Sequence, residues 1–212
     1  MRKHLALLLA FLTLGFSTYA HSVWIEQKDN HLVVRFAEPG EAFETSPGYL
    51  DSLSSPLGFV MLTNKPVASE ILKKSDHFLI SGASPATVAC VESAFTVRGG
   101  RKPYFYARWQ PDMTMAGTPL LTFDLVPTGK PGEVRVYFRN QPLPGVSATL
   151  RQPDSKEEEV IADSDGMLHF KAEKAGQYLL TSAHHREPLA GFHRGVAYTE
   201  ISHNCSLVWI QR

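Results

Sequence analysis

Pro103-Tyr104-Phe105-Tyr106-Ala107-Arg108-Trp109 is the stretch of sequence that decides the fold class. Aromatic residues, which favour strands, fill it with no glycine or proline after its first position. His31-Leu32-Val33-Val34-Arg35-Phe36 alternates more cleanly, placing Leu32, Val34 and Phe36 on one face. A period of two residues is typical of half-buried strands, so both stretches predict β-structure.

Other segments with the same pattern recur at short intervals, separated by Gly, Pro, Asn and Asp. We predict further strands over residues 22–26, 59–62, 77–80, 86–97, 120–126, 133–138, 147–152, 167–171, 177–183 and 199–210. A helical pattern occurs only around Tyr49–Leu53, where Pro47 and Pro56 limit it to a turn or two. The spacing predicts an all-β protein built of β-sandwiches.

Proline and glycine crowd together in Val126-Pro127-Thr128-Gly129-Lys130-Pro131-Gly132. Such a composition is typical of a linker between domains. We therefore expect two β-sandwich domains, over residues 21–128 and 133–212.

The first twenty residues predict a cleaved signal peptide. Arg2 and Lys3 give a positive start, residues 5–16 form an apolar run, and Ser17-Thr18-Tyr19-Ala20 ends in a small residue suited to cleavage. The apolar run is shorter than the roughly 20 residues of a membrane-spanning helix, although an uncleaved anchor is the alternative. The mature chain would begin at His21 in an oxidising compartment, most simply a periplasm.

Composition excludes several classes of function. Without the leader the chain has 19 basic and 21 acidic side chains and no basic run longer than two residues, so a nucleic-acid partner is not expected. Phosphate loops, nucleophile elbows and zinc-protease helices are all missing from the sequence, and Asp163-Ser164-Asp165-Gly166 lacks the remaining ligands of a calcium loop. The sequence therefore does not predict an enzyme.

Cys90 and Cys205 are the only cysteines, and both lie in predicted strands. An even number of thiols in an exported chain favours a disulfide between them. The alternative is that Cys205 binds a metal as a thiolate beside His203.

His21 carries the strongest functional signal. A free α-amine and the imidazole Nδ1 of one N-terminal histidine can chelate a metal ion together, and a second imidazole would complete a site suited to Cu²⁺ or Ni²⁺. The alternative is chance, because nothing in particular is required after a cleavage point.

Three other histidines are candidate ligands. His184 and His185 stand at the end of a predicted strand, and His203 shares the apolar face of the last strand with Cys205, so it needs a partner or a ligand. The alternatives are a solvated strand end and a core histidine hydrogen-bonded to a carbonyl. A tight hairpin would separate His185 from His203 by well over ~10 Å, so only a long excursion of residues 186–200 would unite them. By alternation, His31 and His169 face water.

Two resemblances extend this interpretation. The turn Pro142-Leu143-Pro144-Gly145, then Asp163-Ser164-Asp165-Gly166 and Ala175-Gly176-Gln177-Tyr178, resembles the transthyretin-like and carboxypeptidase-regulatory modules. The mature chain, from Ala20-His21-Ser22-Val23-Trp24 to Ile201-Ser202-His203-Asn204-Cys205, resembles the domain-of-unknown-function family numbered 4198, although two cysteines and the doubled histidine depart from that family's pattern.

The second resemblance implies a periplasmic protein that binds nickel or cobalt and passes it to a membrane uptake transporter. The residues themselves leave copper or zinc open. The expected ligands are His21, His184, His185 and His203. A cell-envelope adhesion or carbohydrate-binding module without metal is the alternative, and a redox copper enzyme is a third hypothesis.

Overall fold

The computed structural model describes residues 21–212, except for the side chain of His184, and it confirms the all-β prediction. The leader expected over residues 1–20 lies outside the described residues. The strands of the first half are β1 (Ser22–Lys28), β2 (His31–Ala37), β3 (Leu57–Leu62), β4 (Lys65–Ser69), β5 (Ile71–Lys73), β6 (Phe78–Ile80), β7 (Ala89–Ala94), β8 (Arg101–Trp109) and β9 (Phe123–Pro127).

The strands of the second half are β10 (Glu133–Phe138), β11 (Gln141–Pro142), β12 (Ser147–Arg151), β13 (Glu157–Ile161), β14 (Met167–His169), β15 (Gly176–Glu187), β16 (Gly191–His193), β17 (Val196–Tyr198) and β18 (Glu200–Gln211). The helical turn predicted between Pro47 and Pro56 is a 3-10 helix, Tyr49–Ser52. In the described part of the chain, no helix is long and apolar enough to cross a membrane.

An eight-stranded sheet forms the centre of the molecule, in the order β13-β12-β15-β18-β8-β7-β3-β4. The pairs within it are antiparallel except that β18 runs parallel to β8. This parallel pair joins strands from the two halves of the chain, because β8 belongs to the first half and β18 to the second.

Two smaller sheets cover the opposite faces of the central sheet. The sheet β1-β2-β6-β5 packs on the face that carries Phe105 and Trp109 of β8. The sheet of β9, β10, β11 and β14 packs on the face that carries Tyr106. Successive residues of a strand point to opposite faces, so β8 contributes to both cores. We call these the first and second core.

The expected linker at residues 126–132 is instead a hairpin turn. β9 and β10 on its two sides pair with each other, from Val134 opposite Pro127 to Phe138 opposite Phe123. Gly129 and Gly132 have positive φ angles of 89° and 77°, so here glycine serves a turn and not a flexible connection. Strand pairing is therefore continuous across the boundary expected between 21–128 and 133–212.

The disulfide expected between Cys90 and Cys205 is absent, since both cysteines are free and buried. Cys90 lies opposite Arg108 on one side of β8, and Cys205 lies beside Tyr106 on the other side. Two strand spacings amount to about 9.6 Å. A disulfide requires Cα atoms about 4.4 to 6.8 Å apart, so the strand between these cysteines keeps them from pairing.

Candidate functional site

His21 lies immediately before β1, at the edge of the first core. Its imidazole packs against the rings of Phe36 and Tyr49, with centroid separations of 5.1 and 5.0 Å. Phe36 belongs to β2 and Tyr49 to the 3-10 helix, so two elements fix the position of the ring. About a quarter of the side chain is exposed, at 28%.

Two carboxylates flank this imidazole. Glu44 Oε1 lies 2.6 Å from Nε2, and Glu38 Oε1 lies 3.5 Å from Nδ1. Both glutamates belong to the loop that follows β2. The Glu44 backbone N–H donates a hydrogen bond of 3.0 Å to the Phe36 carbonyl, which folds this loop back over the strand and beside His21.

The two carboxylates act on different nitrogens of the ring. An ionised carboxylate only accepts hydrogen bonds, so a neutral imidazole donates from Nε2 to Glu44. Nδ1 then keeps its lone pair, and this atom faces Glu38. In a chain that begins at His21, the α-amine of the same residue would be a further nitrogen able to bind a metal ion.

His185 and His203 form a second histidine cluster. They are directly opposite one another in the β15–β18 pair, with ring centroids 6.0 Å apart. The register shifts between Ser182 and His185, so a β-bulge places His185 on the face that carries His203. The strands continue past this point to the β16–β17 hairpin, which is the long excursion that such a pairing requires.

Both ring nitrogens of His203 have protein partners. Nδ1 is 3.0 Å from the Tyr106 hydroxyl, and Nε2 is 3.4 Å from Glu187, whose two carboxylate oxygens both accept hydrogen bonds from Nη2 of Arg139. His203 is only 4% exposed, and burial lowers its pKa below the ordinary histidine range. Burial lowers the pKa of His185 too. These contacts favour a structural role for His203, satisfied by side chains where the sequence had suggested a carbonyl.

Among the expected ligands, His185 and His203 lie together, but His21 lies apart from them. His203 packs on Tyr104 and Tyr106 in the second core, whereas His21 lines a cavity with Phe105 on the other face of the central sheet. A single site containing both is therefore excluded by this arrangement. Within residues 21–212, no group of three or more His, Cys, Asp or Glu side chains forms a metal cage.

Sequence reasoning found His21 but missed Glu38 and Glu44. The available signal was the acidic composition of the loop Glu38-Pro39-Gly40-Glu41-Ala42-Phe43-Glu44. This composition does not indicate that the glutamates lie beside His21, because the path of the loop depends on its contacts with β2. His31 and His169 are exposed, as alternation predicted.

Comparison with known proteins finds no family model that matches this chain and no curated protein that matches it.

Proposed function

We propose that the exported chain binds a divalent transition metal ion at His21. Nδ1 and the α-amine of a processed N-terminus are the first two donors, and Glu38 supplies the third. Glu44 accepts a hydrogen bond from Nε2, the ring nitrogen that does not bind the ion. The single observation that carries this proposal is the position of two carboxylates at the two nitrogens of one imidazole.

The distance between Nδ1 and Glu38 suits two ligands of one ion. Metal–nitrogen and metal–oxygen bonds are about 2.0 to 2.2 Å long, so neighbouring ligands in a tetrahedral or octahedral site lie about 3.0 to 3.4 Å apart. The observed 3.5 Å needs only a small closure.

The role of Glu44 follows a general feature of metal sites. A histidine ligand usually donates its other ring N–H to a carboxylate, which fixes the tautomer and makes the bound nitrogen more basic. The 2.6 Å contact between Nε2 and Glu44 has this form.

A donor set of nitrogen and oxygen without sulfur suits nickel, cobalt, zinc or copper(II). Nickel and cobalt are the choice that the family resemblance supports. In this proposal the protein holds the ion in the periplasm and passes it to a membrane uptake system, and the ion is cargo, not a catalytic cofactor.

Alanine variants of five histidines test the proposal against the histidine cluster first expected. Ni²⁺ binding to the mature protein, beginning at His21, is measured by calorimetry for each variant. We expect His21→Ala to abolish binding, and His185→Ala and His203→Ala to bind as His31→Ala and His169→Ala do. Because His203→Ala opens a gap in the second core, melting curves without metal accompany each titration.

A loss of affinity for His203→Ala as large as that for His21→Ala, in a variant that melts normally, would contradict the proposal. It would place the metal at the β15–β18 pair instead. No Ni²⁺, Co²⁺, Zn²⁺ or Cu²⁺ binding by the mature protein would favour the adhesion or carbohydrate-binding alternative.

A further inference from the structure

A cavity of about 160 Å³ lies beside His21, between the first outer sheet and the central sheet. Four aromatic side chains line one part of it: Phe36, Tyr49, Phe95 and Phe105. Tyr49 and Phe95 meet edge to face with centroids 5.2 Å apart, and Phe36 packs on Phe105 at 5.9 Å. These rings give this part of the wall an apolar surface.

Two arginines also line the cavity, together with His21, Pro103, Ser202 and Asn204. Arg98 and Arg101 face each other across the turn Gly99-Gly100 and exchange two backbone hydrogen bonds of 2.9 Å. Both glycines have positive φ, 54° and 74°, which this tight type of hairpin turn requires. Residues directly opposite in a hairpin place their side chains on the same face, so two like charges are held side by side, which costs stability.

Neither arginine has an acidic partner among the described residues. The Arg98 guanidinium lies over the rings of Tyr49 and Phe95, at 4.8 and 5.8 Å from their centroids. Arg101 Nε is buried without a hydrogen-bond acceptor anywhere in residues 21–212. Glu200, which neighbours Arg101 in the β8–β18 register, instead binds Arg186 at 3.0 Å.

A buried guanidinium N–H without an acceptor is costly, and a paired anion would remove that cost. No described residue that lines the cavity is acidic, so an anion that pairs with Arg101 here would come from a ligand. A carboxylate suits a guanidinium because its two oxygens match the N–H fork. The aromatic wall in turn favours a flat apolar body over an inorganic ion.

We infer that this cavity binds a small organic carboxylate with a planar apolar body of about one ring. Arg101, with Arg98 beside it, takes the carboxylate, and the body lies among Tyr49, Phe95 and Phe105. The size fits, because a cavity of about 150 Å³ in another protein holds one benzene molecule. This inference goes beyond the proposed metal binding and does not depend on it.

Benzoate is the probe that tests this inference, measured by calorimetry or by shifts of aromatic NMR signals at low salt without added metal. Benzamide keeps the ring without the charge, and acetate keeps the carboxylate without the ring. Inorganic phosphate is an anion that has neither a ring nor a carboxylate. We expect saturable binding of benzoate that is stronger than binding of the other three.

Variants then locate the site. Because a hydrogen bond to a charged group is lost, Arg101→Gln should weaken benzoate binding by about tenfold or more. Arg135→Gln, in β10 on the other side of the central sheet, is the matched control and should leave benzoate affinity unchanged. Glu38→Gln separates the two proposals, since it should weaken Ni²⁺ binding and leave benzoate binding intact.

Three results would overturn the inference. Benzamide or phosphate could bind as tightly as benzoate, Arg101→Gln could behave like Arg135→Gln, or benzoate could fail to bind. None of these results bears on metal binding at His21, which is measured separately with Ni²⁺.

Discussion

Replacing Glu44 by Gln isolates the supporting role of this carboxylate in metal binding. The amide of glutamine still offers an oxygen to the Nε2–H of His21, so the ring keeps its position while the negative charge behind it is removed. Loss of such a supporting partner typically lowers metal affinity 10- to 100-fold. The two side chains are each 28% exposed, so solvent screens the lost charge and we expect the lower end, about tenfold or ~1.4 kcal/mol.

Competition titration of Ni²⁺ against a chromophoric chelator at pH 7.5 measures this difference. Glu41→Gln is the matched control, because Glu41 lies in the same loop and is exposed. Its substitution removes the same charge. If Glu44→Gln acted only by weakening the long-range attraction of a cation, both variants would lose the same Ni²⁺ affinity. Equal losses, or an unchanged affinity for Glu44→Gln, would refute the role assigned to Glu44.

Two further predictions concern the second core. Burial raises the pKa of Cys90 to about 12 and that of Cys205 well above its usual value, so both thiols should be unreactive in the native protein. After denaturation without reductant, both should react with a thiol reagent. Finding no reactive thiol would restore the disulfide. Because burial lowers the pKa of His203 below its unfolded value of about 6.5, the unfolded state takes up a proton first as pH falls. Melting temperature should therefore drop below about pH 6.5 more steeply for the wild type than for His203→Gln, and parallel profiles between pH 5 and 8 would contradict this.

Most of the strands could be predicted from alternation, because one face of each packs on a core. Sequence reasoning missed β4, β5, β11, β13, β16 and β17. The pattern is weak in the two longest of these, because β4 is exposed along most of its length and β13 begins with three exposed glutamates. Both are edge strands, whose pairing depends on a neighbour and not on their own pattern. Residues 126–132 were expected to be a linker, whereas the strands on either side of the turn pair with each other, since Pro and Gly mark a hairpin and a linker equally well.

The site could be predicted only in part. The position of His21 after a predicted leader can be read from the sequence, but Glu44 is 23 residues away and reaches His21 through the path of a loop. The pairing of His185 with His203 depends on a β-bulge, which shifts the register and which alternation cannot indicate. The separation of these histidines from His21 depends on β8, because Tyr106 beside His203 and Phe105 beside His21 lie on opposite faces of the central sheet.

The most direct test of the central claim compares Ni²⁺ binding by protein that begins at His21 with binding by protein that carries one extra alanine before it. The extension converts the α-amine of His21 into a peptide nitrogen and leaves every side chain unchanged. Mass spectrometry of both samples establishes their N-termini before titration. The account predicts that the alanine lowers Ni²⁺ affinity by more than about tenfold, because one of three donors is lost. Equal affinities in the two proteins would contradict it.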